Sequence, residues 1–160
     1  MQTLIATLQQ AVREQDGTQL ANIVSPRGLY MAQYGDTSVY LMPEEVHNFF
    51  ENTELYTWSN TFTGEGSVTE SLAGEVTVKL QQDLLSPEIQ IACNNNQDTL
   101  SDQSSLYAIE IPGYKAVNFY SVLRPGKPGF ELDWGAWGLV IEYWGDEPTL
   151  LSLGYYVWFP

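Results

Sequence analysis

The sequence predicts an α+β domain, with N-terminal helices packed on a strongly bent antiparallel β-sheet, and three observations carry that prediction. Apolar residues recur at helical spacing near the N-terminus. Strand-like alternation dominates the second half, and the stretches between are rich in Gly, Pro and Asn. At 160 residues the chain is sized for one domain spanning 1–160, able to bury a core without disulfides or metal.

Leu4, Ile5, Leu8, Ala11 and Val12 form the stripe of an amphipathic helix, which Asp16-Gly17 should stop. Thr18 then caps a shorter helical turn carrying Leu20, Ile23 and Val24, ended by Ser25-Pro26. Gly28 to Tyr34 and Thr37 to Leu41 read as two strands around Gly35-Asp36. Pro43-Glu44-Glu45 opens a short helix, because Pro suits the first turn and acids suit the dipole; Val46, Phe49 and Phe50 form its buried side. Leu55 to Trp58 is a strand and Ser59 to Ser71 an exposed loop. Leu72 to Leu85 fits helix better than strand, through Leu72, Val76, Leu80 and Leu84, although Val76, Val78 and Leu80 also alternate. Five further strands are expected, at Glu88–Cys93, Leu106–Ile111, Ala116–Leu123, Ala136–Trp144 and Leu150–Phe159. The clearest loops are Asn94–Ser105 and Arg124–Gly129.

The charge balance excludes whole classes of function. Six Lys and Arg against twenty Asp and Glu give a net charge of −14. Duplex nucleic acid is excluded as a partner, since phosphate affinity comes from Lys and Arg displacing counterions, and an anionic membrane face would repel the chain. No segment approaches the roughly 20 apolar residues of a membrane span. Met1 to Gln15 lacks the pattern of a signal peptide, so a cytoplasmic location is expected as the chain stands, and a periplasmic one only if a leader was removed. Cys93 is the only cysteine, which rules out an intrachain disulfide and a thiolate metal cage.

Near the C-terminus, Asp133-Trp134, Leu139-Val140-Ile141-Glu142, Leu150-Leu151-Ser152-Leu153 and Trp158 form a pattern. With the preceding order of elements, it resembles the cystatin-like cone of the nuclear transport factor 2-like superfamily, more narrowly an uncharacterised bacterial group. That group often carries an Arg in the penultimate strand and a His-Asp pair before the closing Trp. The matching positions here are Gly138, Tyr155 and Tyr156, so the ionisable groups of the relatives are replaced. If Trp144 pairs with Thr149, Gly138 stands opposite Tyr155 and the ring lies over the glycine.

Motifs for chemistry are sparse. His47 is the only histidine, which excludes a multi-histidine zinc site, and no Gly-x-Ser-x-Gly elbow accompanies it; a solvated helix-surface residue is the better account. Asn94, Asn96, Asp98 and Asp102 have calcium-loop spacing, but Thr99 and Ser105 stand where Gly and a bidentate Glu are needed. Gly64-Glu65-Gly66 lacks the third glycine of a dinucleotide fingerprint. No cofactor and no metal are expected. An isomerase- or hydrolase-type enzyme is the alternative function, with Asp36 as base and Tyr34 or Tyr56 as donor in the cone.

Aromatic residues make up 13% of the chain and crowd its end: Trp134, Trp137, Tyr143, Trp144, Tyr155, Tyr156, Trp158 and Phe159. Alternation puts Trp137 and Tyr143 on one face of their strand and Trp144 on the other, so the sheet should be covered on both sides. Core packing is the majority role of such rings, because they bring large buried area and strand propensity. The leading expectation is a non-catalytic binding or accessory domain, taking a small neutral molecule in the cone or a protein subunit on the sheet face. A homodimer is one form of the latter. Tyr34, Tyr56, Trp137, Tyr155, Tyr156 and Trp158 are the candidate ligand-binding residues.

Overall fold

Helix α1, Gln2–Glu14, buries the five apolar residues of its stripe, Leu4, Ile5, Leu8, Ala11 and Val12. Full burial of each larger aliphatic side chain contributes about 1.5–3 kcal/mol. In this computed structural model the described residues are 2–33, 36–59, 66–93, 118–130 and 133–157, with only the backbone described at 36–38, 118–119 and 156–157. Helix α1 ends just ahead of the expected Asp16-Gly17 stop. Gln15 takes a left-handed conformation (φ +53°) and the Asp16 N–H bonds back to the Ala11 carbonyl at 2.9 Å.

Helix α2, Gly17–Ala21, is capped by Asp16 and not by Thr18: the Asp16 carboxylate accepts from the Gln19 N–H at 2.9 Å. An N-cap oxygen reaches the third helical residue, which places the cap before Gly17. Strands β1, Leu29–Gln33, and β2, Asp36–Leu41, pair antiparallel as expected. Helix α3, Pro43–Val46, starts at the anticipated proline, and Val46, Phe49 and Phe50 are buried.

Strand β3, Leu55–Ser59, pairs with β4, Ser67–Ser71, as a separate two-stranded sheet. The second of these corrects the expected 59–71 loop. Its polar residues form a strand because each has a cross-strand partner, with the Thr57 and Thr69 hydroxyls 2.8 Å apart. A π-helical turn, Leu72–Val76, runs into helix α4, Thr77–Leu84, so the ambiguous segment is helical and its Leu72, Val76, Leu80 and Leu84 are buried.

The remaining strands are β5 (Gln90–Cys93), β6 (Asn118–Arg124), β7 (Gly135–Trp144) and β8 (Glu147–Val157). The expected 106–111 strand and 94–105 loop lie outside the described residues. The main sheet has the order β2-β1-β8-β7-β6-β5. It is mixed, not wholly antiparallel, because β1 and β8 pair in parallel within it. Parallel neighbours need a long connection, and residues 34–146 run between these two.

Helices and sheet enclose one core, in which α1, α2 and α4 meet Met31, Val122, Trp137, Leu139, Ile141 and Leu153. Gln9 and Gln81 fasten α1 to α4 by donating to the Leu84 and Val12 carbonyls, at 2.8 and 3.4 Å. On the opposite sheet face Ala32, Ser121, Ala136, Val140 and Ser152 are buried as well. Both faces of the sheet centre are therefore closed to solvent.

The β7–β8 register differs from the expected one. Gly145 opens a two-residue turn with φ +64°, pairing Trp144 with Glu147, and a bulge leaves Leu151 without an opposite residue. Gly138 thus stands opposite Gly154, and Tyr155 opposite Trp137.

Candidate functional site

That register builds a row across four strands. Gln33 of β1 stands beside Tyr155 of β8, Tyr155 beside Trp137 of β7, and Trp137 beside Val122 of β6. Above the row lies α4, which carries Lys79 and Asp83 one turn apart on the same side. The two charges meet the two halves of the row.

Asp83 is buried, with 1% of its side chain exposed. One carboxylate oxygen accepts from Arg124 Nε at 2.7 Å and the other from the Trp137 indole N–H at 3.1 Å. Arg124 also donates to the Asp133 carbonyl at 2.5 Å, and its guanidinium lies 3.7 Å from the Asp133 carboxylate. Burial raises the Asp83 pKa above the usual carboxylate value, outweighing Arg124 and the indole, which lower it. A Cβ at Gly135 would stand 2.6 Å from both Asp83 oxygens, so the glycine makes room for the carboxylate.

Lys79 anchors the other half. Its ammonium donates to both oxygens of the buried Glu70 and, at 3.0 Å, to Gln33 Oε1. It also stands 4.9 Å from the centre of the Tyr155 ring, whose other neighbour is Trp137 at 5.0 Å. The Gln33 amide nitrogen, itself buried, has no hydrogen-bond partner among the described residues. Two ion pairs, Glu70–Lys79 and Asp83–Arg124, flank the two rings, and each charged group here is engaged by an opposite one. Such a network locks a helix to a sheet; the groups in it are committed to one another.

Of the residues the sequence nominated, Trp137 and Tyr155 are brought together, but in the core, with 0% and 8% exposure. Tyr56 is half-buried elsewhere, its hydroxyl accepting from Asn52 at 3.0 Å and donating to Glu54 at 3.2 Å, with its pKa raised chiefly by burial. Tyr34 and Trp158, and the side chains of Tyr156 and Asp36, lie outside what is described. So do the 94–105 cluster and most of the Gly64-Glu65-Gly66 motif. His47 is exposed, as expected of a helix-surface residue. Among the described residues no three His, Cys, Asp or Glu side chains gather into a metal-binding group, and no helix is long and apolar enough to cross a membrane.

A second cluster lies at the surface, where the end of the β7–β8 hairpin meets β1 and β2. The Arg27 guanidinium stands 5.7 Å from the centre of the Trp144 ring and 4.0 Å from Glu142. Glu142 also accepts from the buried Ser25 hydroxyl, whose oxygen receives the Arg27 N–H at 3.0 Å. The Tyr40 hydroxyl donates to the Arg27 carbonyl, and its ring lies 4.9 Å from that of Tyr30. Gly28 is required here: its φ is +102°, and a Cβ would lie 2.8 Å from the Tyr40 ring.

Tyr40 and Trp144 nevertheless remain 43% and 52% exposed. The Tyr40 hydroxyl is thus tied to Arg27, whose guanidinium lies over Trp144 and beside Glu142, while both rings face solvent. Sequence reasoning missed this cluster, although two signals mark it. Arg27 is one of only six basic residues, and alternation already put Trp144 on the face opposite Trp137.

Comparison with family models, curated proteins and solved structures returns no match for this chain.

Proposed function

We propose that the chain is a non-catalytic binding or accessory domain that engages a protein subunit on its sheet face, through Tyr30, Tyr40, Arg27 and Trp144. The observation that carries this reading is the pre-ordered, half-exposed Tyr40–Arg27–Trp144 cluster. Tyr, Trp and Arg are the residues that dominate binding energy in protein interfaces, and rings already fixed lose little entropy on association. The interior supports the same reading. Asp83, a carboxylate with a shifted pKa, has both oxygens engaged and no exposed edge, unlike a poised acid or base in a cleft. Kinship with the nuclear transport factor 2-like superfamily is part of this proposal, supported by the order of helices and strands.

The test places a photo-crosslinking amino acid at position 40, and separately at the exposed Val78 of α4, in the source organism. A discrete adduct is expected from position 40 alone, and it should vanish when Trp144→Ala is added. Identical adducts from both positions, or none from position 40, overturn the reading. An adduct of twice the chain mass identifies the subunit as a second copy.

A further inference from the structure

We infer that the partner meets this surface with a basic segment, its Lys or Arg side chains laid against Trp144 and Tyr40; this rests on the proposed protein-binding reading. The chain itself shows that the Trp144 ring accepts a cation, since Arg27 already stands 5.7 Å from its centre. Trp144 as a residue is still half-exposed, and so is Tyr40.

The charge flanking Trp144 is negative in excess. Asp146 is exposed in the turn directly beyond Trp144, and Glu147, exposed at the start of β8, stands opposite Trp144. Arg27, the cation at the centre, is matched by Glu142. The excess charge around the patch is therefore negative, in a chain of net charge −14. A second copy would bring the same sign to the contact, and so would a nucleic acid or an anionic membrane. A cationic protein segment satisfies both the rings and the acids, and steering by the net charge would speed its arrival.

The experiment titrates the intact protein with a synthetic Lys/Arg-rich peptide and with a Glu-rich peptide of equal length, by calorimetry. The basic peptide is expected to bind, at least threefold more weakly when salt is raised from about 0.05 to 0.3 M, as screened charge contacts require. The acidic peptide should not bind. Trp144→Ala should weaken binding at least threefold, and so should Asp146→Asn with Glu147→Gln, an exposed pair at the end of the hairpin. Glu88→Gln, exposed before β5 at the far edge of the sheet, should leave it unchanged. Equal losses from Glu88→Gln and from the hairpin pair would mean attraction to net charge alone and would overturn the inference, as would no binding of the basic peptide. A partner crosslinked at position 40 while the basic peptide fails to bind would leave the protein-binding reading standing and remove only the cationic segment.

Discussion

Asp83 on α4 and Arg124 at the end of β6 form a buried ion pair at 2.7 Å, and the Trp137 indole holds the carboxylate's second oxygen. The pair joins helix to sheet at a place almost closed to solvent. Removing one member leaves an uncompensated buried charge and unpaired donors or acceptors, so Asp83→Leu or Arg124→Met should each lower unfolding free energy by about 3–5 kcal/mol. Replacing both, as Asp83→Leu with Arg124→Met, should recover much of the loss. Urea unfolding of the four proteins checks this, and additive losses in the double variant would refute it.

The direction of the Asp83 shift sets a pH dependence. Because burial raises its folded pKa above the ordinary value of 3.8, the native state holds this proton more tightly than the unfolded chain. The contribution is fully present below the unfolded pKa and declines as pH rises through the folded one. Measured against Asp83→Asn, the stability advantage of the native sequence should therefore be larger near pH 3.5 than at neutral pH. Paired urea titrations across that interval provide the measurement; an advantage that grows with pH contradicts the assignment.

Local pattern made much of this architecture legible in the sequence. The α1 stripe, the Pro43 start and most strand positions rest on interactions within a few residues, and each is found near its expected place. What escaped depends on partners distant in the chain. The parallel pairing of β1 with β8 joins opposite ends of the sequence, and strand β4 is polar, so only its pairing with β3 marks it. The tight turn at Gly145, partly offset by the bulge at Leu151, set Tyr155 opposite Trp137 instead of Gly138, and with it the row under α4. Asp83 and Arg124 carried no motif, because their chemistry arises from burial and not from spacing.

Gly135 offers a test of how tightly that row is packed. Its backbone is not in the left-handed region, so Gly135→Ala brings no conformational strain, only a Cβ 2.6 Å from the Asp83 oxygens. Overpacking of this kind costs about 1–3 kcal/mol. In an Asp83→Ala background the obstructing carboxylate is gone, and the same substitution should cost markedly less. Thermal unfolding of the set reads the coupling; an undiminished cost would place the strain elsewhere than at Asp83.

Gln15 makes the opposite prediction, a gain. It is the one described non-glycine residue with positive φ, at +53°, and it is exposed at the left-handed position that ends α1. The Asp16 N–H to Ala11 carbonyl bond holds the chain in that turn whatever side chain is present. A side chain with a Cβ costs roughly 1 kcal/mol there relative to glycine, partly offset by the greater freedom of glycine when unfolded. Gln15→Gly should therefore stabilise the protein by about 0.5 kcal/mol, whereas the β-branched Gln15→Val should destabilise it. Both changes are readable as shifts of opposite sign in the urea midpoint at unchanged slope. If glycine lowers the midpoint, the left-handed cap is not what terminates α1.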